Sequence, residues 1–194
     1  MKRICVFCGS NPGAHPDYRD AATALANILA DRGLGLVYGG ASVGLMGTIA
    51  DAILKRGIEV VGVIPHPLIS REIAHKGLAE LRVVASMHER KAVMAELSDG
   101  FIAMPGGFGT LEEFFEIVTW GQLGIHAKPF GLLNVRNYFD DLLRFLDHCV
   151  DEQFLKPKHR ATILTAADPS ALLDLFADYQ PAGGHKWFDL RGKS

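Results

Sequence analysis

The 194-residue chain is predicted to fold as an α/β protein, a doubly wound parallel sheet within a three-layer sandwich. Strand-like and helix-like segments alternate almost throughout, the pattern of βα units joined by right-handed crossovers. Several strand candidates are continuous apolar runs, as required when helices cover both faces of a sheet. Glycine-rich turns recur where a strand ends and a helix begins, which is where open parallel sheets bind ligands.

Strands are expected at residues 3–8, 35–38, 59–64, 81–85, 100–104, 129–133 and 162–164. Helices are expected at 16–32, 45–56, 87–97, 110–123, 138–152 and 169–178, with a short one around Arg71-Glu72-Ile73. Local punctuation agrees. Gly33 and Gly57 follow helices as C′ glycines do, Pro16 suits a first helical position, and Asp168-Pro169 reads as N-cap then N1. Residues 1–180 are expected to form one domain, with a loosely ordered tail at 181–194.

Composition narrows the function. Apolar content of 48% and charged content of 22% are those of an ordinary globular protein. A formal net charge of −2 argues against a general nucleic-acid binder. No apolar stretch approaches membrane-spanning length, and the apolar run after Met1-Lys2-Arg3 is too short for a signal sequence. The expected location is cytoplasmic. Cys5 and Cys8 have the spacing of a metal or redox motif, but on a strand they point to opposite faces. The eight histidines make no ligand pattern, so no metal is expected.

The run Met104-Pro-Gly-Gly-Phe-Gly-Thr-Leu-Glu-Glu links an apolar strand to an amphipathic helix starting near Thr110. Glycines allow close backbone approach, and the first helical N–H groups attract an anion. Thr110 adds a hydroxyl at the N-cap or first helical position. The same run also suits a bare tight turn, and the helix decides between the two. At 100° per residue, Leu111, Phe114, Phe115 and Val118 form the expected sheet-facing stripe, while Thr110, Glu113, Ile117 and Trp120 form another. Placement near a helix N-terminus explains Glu112 well but explains Glu113, on a partly apolar stripe, poorly.

Two further stretches join it. Residues 39–47, beginning Gly39-Gly40, form a second glycine turn whose spacing fits a mononucleotide or sugar phosphate better than a dinucleotide. Met87-His88-Glu89-Arg90-Lys91 places two cations in a first helical turn, against the helix dipole, which an anionic ligand would explain. If the glycine turn holds a 5′-phosphate, Glu113 stands one helical turn inside it, beneath a sugar ring. That is equipment for cleaving an N-glycosidic bond.

The segment Pro105-Gly106-Gly107-Phe108-Gly109-Thr110-Leu111-Glu112-Glu113 resembles the PGGxGTxxE signature of the Lonely-Guy (LOG) phosphoribohydrolases. Residues 87–91 resemble their companion motif, and the likeness extends from Gly9-Ser10 through Gly39-Gly40 to Thr119–Gly124 and beyond. The resemblance implies a Rossmann-like homodimer that hydrolyses cytokinin riboside 5′-monophosphates to an adenine-type base and ribose 5-phosphate, without metal or redox cofactor. By motif, Arg90 and Glu113 are its catalytic pair. Gly9, Ser10, Gly39, Gly40, Glu72, Arg90, Lys91, the run Gly107, Phe108, Gly109, Thr110, Leu111, Glu112, Glu113, and Thr119 are its substrate contacts. Phe108 stands where many members have tyrosine. Members have often been labelled lysine decarboxylases, but no Schiff-base lysine with a ring-nitrogen partner is evident. The competing reading is a binding module that holds a nucleotide or phosphorylated cofactor without turnover.

Overall fold

A computed structural model of the protein describes residues 1–69 and 73–181. Seven strands form one sheet: β1 (Arg3–Phe7), β2 (Gly35–Tyr38), β3 (Val60–Pro65), β4 (Glu80–Val84), β5 (Gly100–Ala103), β6 (Phe130–Leu133) and β7 (Leu164–Ala166). Their order is β4-β3-β2-β1-β5-β6-β7, and every ladder is parallel. The chain winds outward from β1 to β4, then returns to β1's other side and winds the opposite way. The switch point therefore lies between β1 and β5, whose carboxyl ends carry residues 8–13 and 104–107.

Helices are α1 (Asp17–Asp31), α2 (Gly44–Leu54), α3 (His66–Ile69), α4 (Met87–Leu97), α5 (Phe108–Leu123), α6 (Asp140–Asp151), α7 (Pro157–Arg160) and α8 (Pro169–Ala177). Alternate residues of the inner strands feed two separate cores. Ile4, Val6 and Cys8 pack with Leu25 and Leu29 of α1, Ile49 of α2 and Leu172 of α8. Cys5, Phe7 and Phe101 pack on the other face with Met94 of α4, Phe114 of α5 and Leu146 of α6. The two cysteines thus face opposite layers, as the strand reading expects, and neither is in a disulfide.

Several boundaries differ from expectation. α5 begins at Phe108, with Gly107 as N-cap, so Thr110 is its third residue. Pro16 is the N-cap of α1 rather than its first residue. The last strand lies at Leu164–Ala166, later than predicted, because the chain first makes the short helix α7 and a turn ending at Ile163. A short helix also follows β3 at His66–Ile69, while the one expected around Arg71-Glu72-Ile73 falls largely outside the described residues. Arg71 and Glu72 lie outside the described residues, as does the tail beyond residue 181. The sheet-facing stripe of α5 is also not the predicted one. Thr110, Glu113, Phe114 and Ile117 are its buried residues, while Leu111, Phe115 and Val118 are only partly covered.

Tyr38, at the end of β2, is fully buried, and its hydroxyl has no hydrogen-bond partner among the described residues. An unsatisfied buried hydroxyl lowers stability, whereas the ring packs well in the α1–α2 core. Tyr38→Phe is expected to match or exceed the parent's stability in urea denaturation, by up to about 1 kcal/mol. A loss of more than that would reveal a partner for the hydroxyl.

Candidate active site

The loops at the switch point are bound to one another. The Gly9 amide donates to the Pro105 carbonyl at 3.1 Å, and the Leu45 amide donates to the Gly9 carbonyl at 3.1 Å. The turns after β1, β2 and β5 thereby enclose one cleft of about 430 Å³, of the size that takes a small organic ligand. The start of α5 opens into it. Its N-cap, Gly107, has no side chain to satisfy the first helical N–H groups. Those groups and the positive end of the helix dipole are left to face a ligand.

Arg90 and Glu113 meet across this cleft. Arg90 Nη1 lies 3.1 Å from Glu113 Oε1, and both residues are buried, at 8% and 9% exposure. The rest of the guanidinium is also held: Nε donates to the Val63 carbonyl at 3.0 Å and Nη2 to the Gly39 carbonyl at 3.3 Å. The ends of β2 and β3 therefore fix the arginine before any ligand arrives. Gly39 leaves room for it, since a Cβ there would fall 2.1 Å from Arg90 Nη2.

α4 reaches this position through a well-formed start. Ser86 caps it by accepting from the Glu89 amide at 3.1 Å, and the Glu89 carboxylate accepts from the Ala85 amide at 2.7 Å. This is a capping-box arrangement displaced by one residue. It gives Glu89 a structural use and offsets the cations that follow. Lys91 points elsewhere. Its ammonium pairs with Glu112 at 2.5 Å and Glu116 at 3.1 Å, bridging two carboxylates that would otherwise repel across one turn of α5. α4 and α5 are thus pinned together on both sides of Glu113.

Burial pushes the Glu113 carboxyl above the usual carboxylate range, and the pull of Arg90 in the other direction does not cancel it. Burial lowers the Lys91 pKa, but its hydrogen bonds to Glu112 and Glu116 outweigh that and leave it raised. Cys8 also lines the cleft, where burial and the Glu113 charge push its thiol up. It forms a neutral wall and not a nucleophile.

Of the residues expected to touch substrate, Gly9, Ser10, Arg90, Gly107, Phe108, Gly109, Thr110 and Glu113 line the cleft. Gly39 and Gly40 do not line it; Gly39 instead accommodates Arg90. Lys91 and Glu112 pair with each other outside it. Leu111 packs partly against the α5 core, and Thr119 lines a separate groove between α5 and α6, its hydroxyl bonded to the Phe115 carbonyl. Glu72 lies outside the described residues. Sequence reasoning did not single out Asn11, Tyr18, Met46 or Tyr138, which also line the cleft, although Asn11 and Met46 fall in the turns after β1 and β2 that it marked. Asn11 lies within the β1 turn and Tyr18 in the helix that follows it, so both were open to inference. Tyr138 follows β6, and only the order of the strands brings it near β5.

Fold and site together define a doubly wound α/β protein with an anion-accepting cleft at its switch point and a buried arginine–glutamate pair inside. A family described as "Possible lysine decarboxylase" matches residues 46–176, and the chain belongs to that family. Its relatives include the cytokinin riboside 5′-monophosphate phosphoribohydrolase LOG7 of Arabidopsis thaliana, 52% identical over 93% of this chain and 83% of that one. The probable cytokinin riboside 5′-monophosphate phosphoribohydrolase LOGL3 of Oryza sativa subsp. japonica is 50% identical over 96% of this chain and 91% of its own. Among solved structures, the molybdenum cofactor binding protein from the phototrophic bacterium Rippkaea orientalis superposes with a TM-score of 0.69. It covers 92% of this chain and 97% of its own at 22% identity, a likeness of fold alone. Among the described residues, no helix is long and apolar enough to cross a membrane.

Proposed function

We propose that the protein hydrolyses the N-glycosidic bond of cytokinin-type nucleoside 5′-monophosphates, and that plain AMP is a candidate substrate. The products are an adenine-type base and ribose 5-phosphate. The observation that carries this reading is the Arg90–Glu113 pair, buried one helical turn inside the anion-accepting start of α5. The phosphoribohydrolase names of relatives at about half identity support it. A homodimer in the cytoplasm is proposed on the family resemblance.

In this mechanism the α5 N-terminus and the glycine turn hold the 5′-phosphate, which places the ribose over Glu113. As the C1′–N bond breaks, the electron pair leaves with the base nitrogen and positive charge develops on the sugar. The Glu113 carboxylate stabilises that charge and takes a proton from the water whose oxygen bonds to C1′. The base nitrogen takes up a proton, so the sum is addition of water across the bond. Arg90 keeps Glu113 ionised and aimed. A pure binding module has no use for a carboxylate that repels the phosphate it holds. Decarboxylation of lysine through a Schiff base is poorly served too. Lys91 sits outside the cleft between two carboxylates that favour its protonated form.

The test is base release from AMP and from an isopentenyladenosine monophosphate, followed across pH. Glu113 must be ionised to act, and its pKa is raised. The fall of kcat/KM on acidification is therefore expected to begin above the ordinary glutamate value of about 4.3. Retained nucleotide binding without release from either substrate would establish the binding module instead.

A further inference from the structure

Resting on the phosphate-cradle reading above, we propose that Tyr138 is a positioning residue of the cradle. Its hydroxyl holds the Gly106 carbonyl so that the Gly106–Gly107 peptide turns its N–H, and not its oxygen, toward the ligand's phosphate.

Tyr138 lies just after β6, remote in sequence from the glycine turn, yet its hydroxyl donates to the Gly106 carbonyl at 2.7 Å. Both residues line the cleft. The turn needs such a clamp. Gly106 and Gly107 are adjacent, and neither has a side chain to resist rotation of the peptide between them. In a trans peptide the carbonyl and the N–H point opposite ways. One flip would therefore exchange a donor facing the anion for an acceptor that repels it. A side chain at Gly106 cannot supply the restraint, because its Cβ would fall 2.2 Å from Thr110 Oγ1 and 2.9 Å from the Gly9 nitrogen. The restraint has to come from outside the turn.

The segment that carries Tyr138 is shaped for the purpose. Arg136 and Asn137, in the 3-10 turn Val135–Asn137, sit at φ 55° and 59°, a left-handed conformation that side-chain-bearing residues rarely adopt. Arg136 is tied to Asp17 at the start of α1 at 2.7 Å. On the other side, Asn134 donates to Asp140 and accepts from the Phe139 amide. The Tyr138 ring stands edge-on to Tyr18 at 6.1 Å. Burial of apolar surface does not explain this arrangement, since Tyr138 is 45% exposed. Strained backbone that ends in an exposed tyrosine bonded to the anion turn belongs to function.

Tyr138→Phe keeps the ring and removes only the hydroxyl. Calorimetric affinity for ribose 5-phosphate is expected to weaken about five- to tenfold. KM for the hydrolysed nucleotide should rise by a similar factor with kcat within about twofold, because phosphate is held equally in ground and transition states. The melting temperature should not move, and Tyr38→Phe, which removes a hydroxyl that does not line the cleft, should leave KM unchanged. Unaltered ribose 5-phosphate affinity in Tyr138→Phe overturns the proposal. So does a parent protein that does not bind ribose 5-phosphate, or an equal KM shift in Tyr38→Phe. If Tyr138→Phe weakens ribose 5-phosphate binding while the parent releases base from no nucleotide, the clamp stands and the hydrolytic reading falls.

Discussion

Glu113→Gln is expected to lower kcat for base release by at least about a thousandfold while nucleotide affinity stays within a few fold. Glutamine has nearly the same shape and can still accept a hydrogen bond from Arg90 Nη1, which lies 3.1 Å from Glu113 Oε1. It cannot offer negative charge to the developing sugar cation, and it cannot take a proton from water. The effect should be large because the carboxylate is buried and its charge is preorganised. Glu113 is only 9% exposed, and Arg90 is fixed by the carbonyls of Val63 and Gly39 independently of any ligand. Electrostatic stabilisation of this kind is worth more in such a place than in water. Binding should survive because the proposed mechanism has the start of α5, and not the carboxylate, hold the phosphate. Removing the negative charge is expected to give a small gain in phosphate affinity, since like charges then no longer face each other. Single-turnover release of base from a saturating nucleotide, set beside calorimetric affinity, separates the two effects. A variant that kept a tenth or more of the parent's kcat would remove Glu113 from the mechanism.

Much of this site was legible in the sequence because its main parts are local. The glycine run, the helix it opens and the position of Glu113 one turn inside all lie within residues 104–113, and α4 is bounded at Met87–Leu97 as its pattern predicts. Apolar runs marked the buried strands for the same reason. What was not legible depends on packing between distant segments. The inward stripe of α5 was misread because Leu111, Phe115 and Val118 look more apolar than Thr110 and Glu113. Hydrophobicity alone cannot show that a glutamate is buried when its partner sits on another helix. The role of Lys91 was hidden similarly, since only the docking of α4 on α5 brings it between Glu112 and Glu116. Tyr138 needed one step more. The order of the strands had to place β6 beside β5 before a tyrosine after β6 could reach Gly106.

Removing the other half of the pair should be felt in stability as well as in rate. Arg90→Met keeps much of the buried stem but leaves Glu113 without its counter-charge. Breaking one partner of a buried pair typically costs about 3–5 kcal/mol, in this case toward the lower end because the carboxyl can take up a proton instead. For a chain of this size that corresponds to a fall in melting temperature of roughly 6–12 °C. The sign of its pH dependence follows from the Glu113 pKa. Burial already raises it in the parent, and Arg90 is the leading influence that lowers it. Without Arg90 it rises further, so the folded state binds this proton more tightly than the unfolded chain does. The variant should therefore regain stability as pH falls from about 8 to about 5.5 and lose it as pH rises again. The double variant Arg90→Met/Glu113→Gln has no carboxyl to titrate at this position. It should be more stable than Arg90→Met alone near neutral pH, and its deficit from the parent should change less across that range. Thermal melts of the parent, both single variants and the double variant at the two pH values decide the matter. If Arg90→Met melted with the parent at about pH 8, the pair would contribute nothing to holding the buried carboxylate, and the preorganisation on which the hydrolytic mechanism depends would be lost with it.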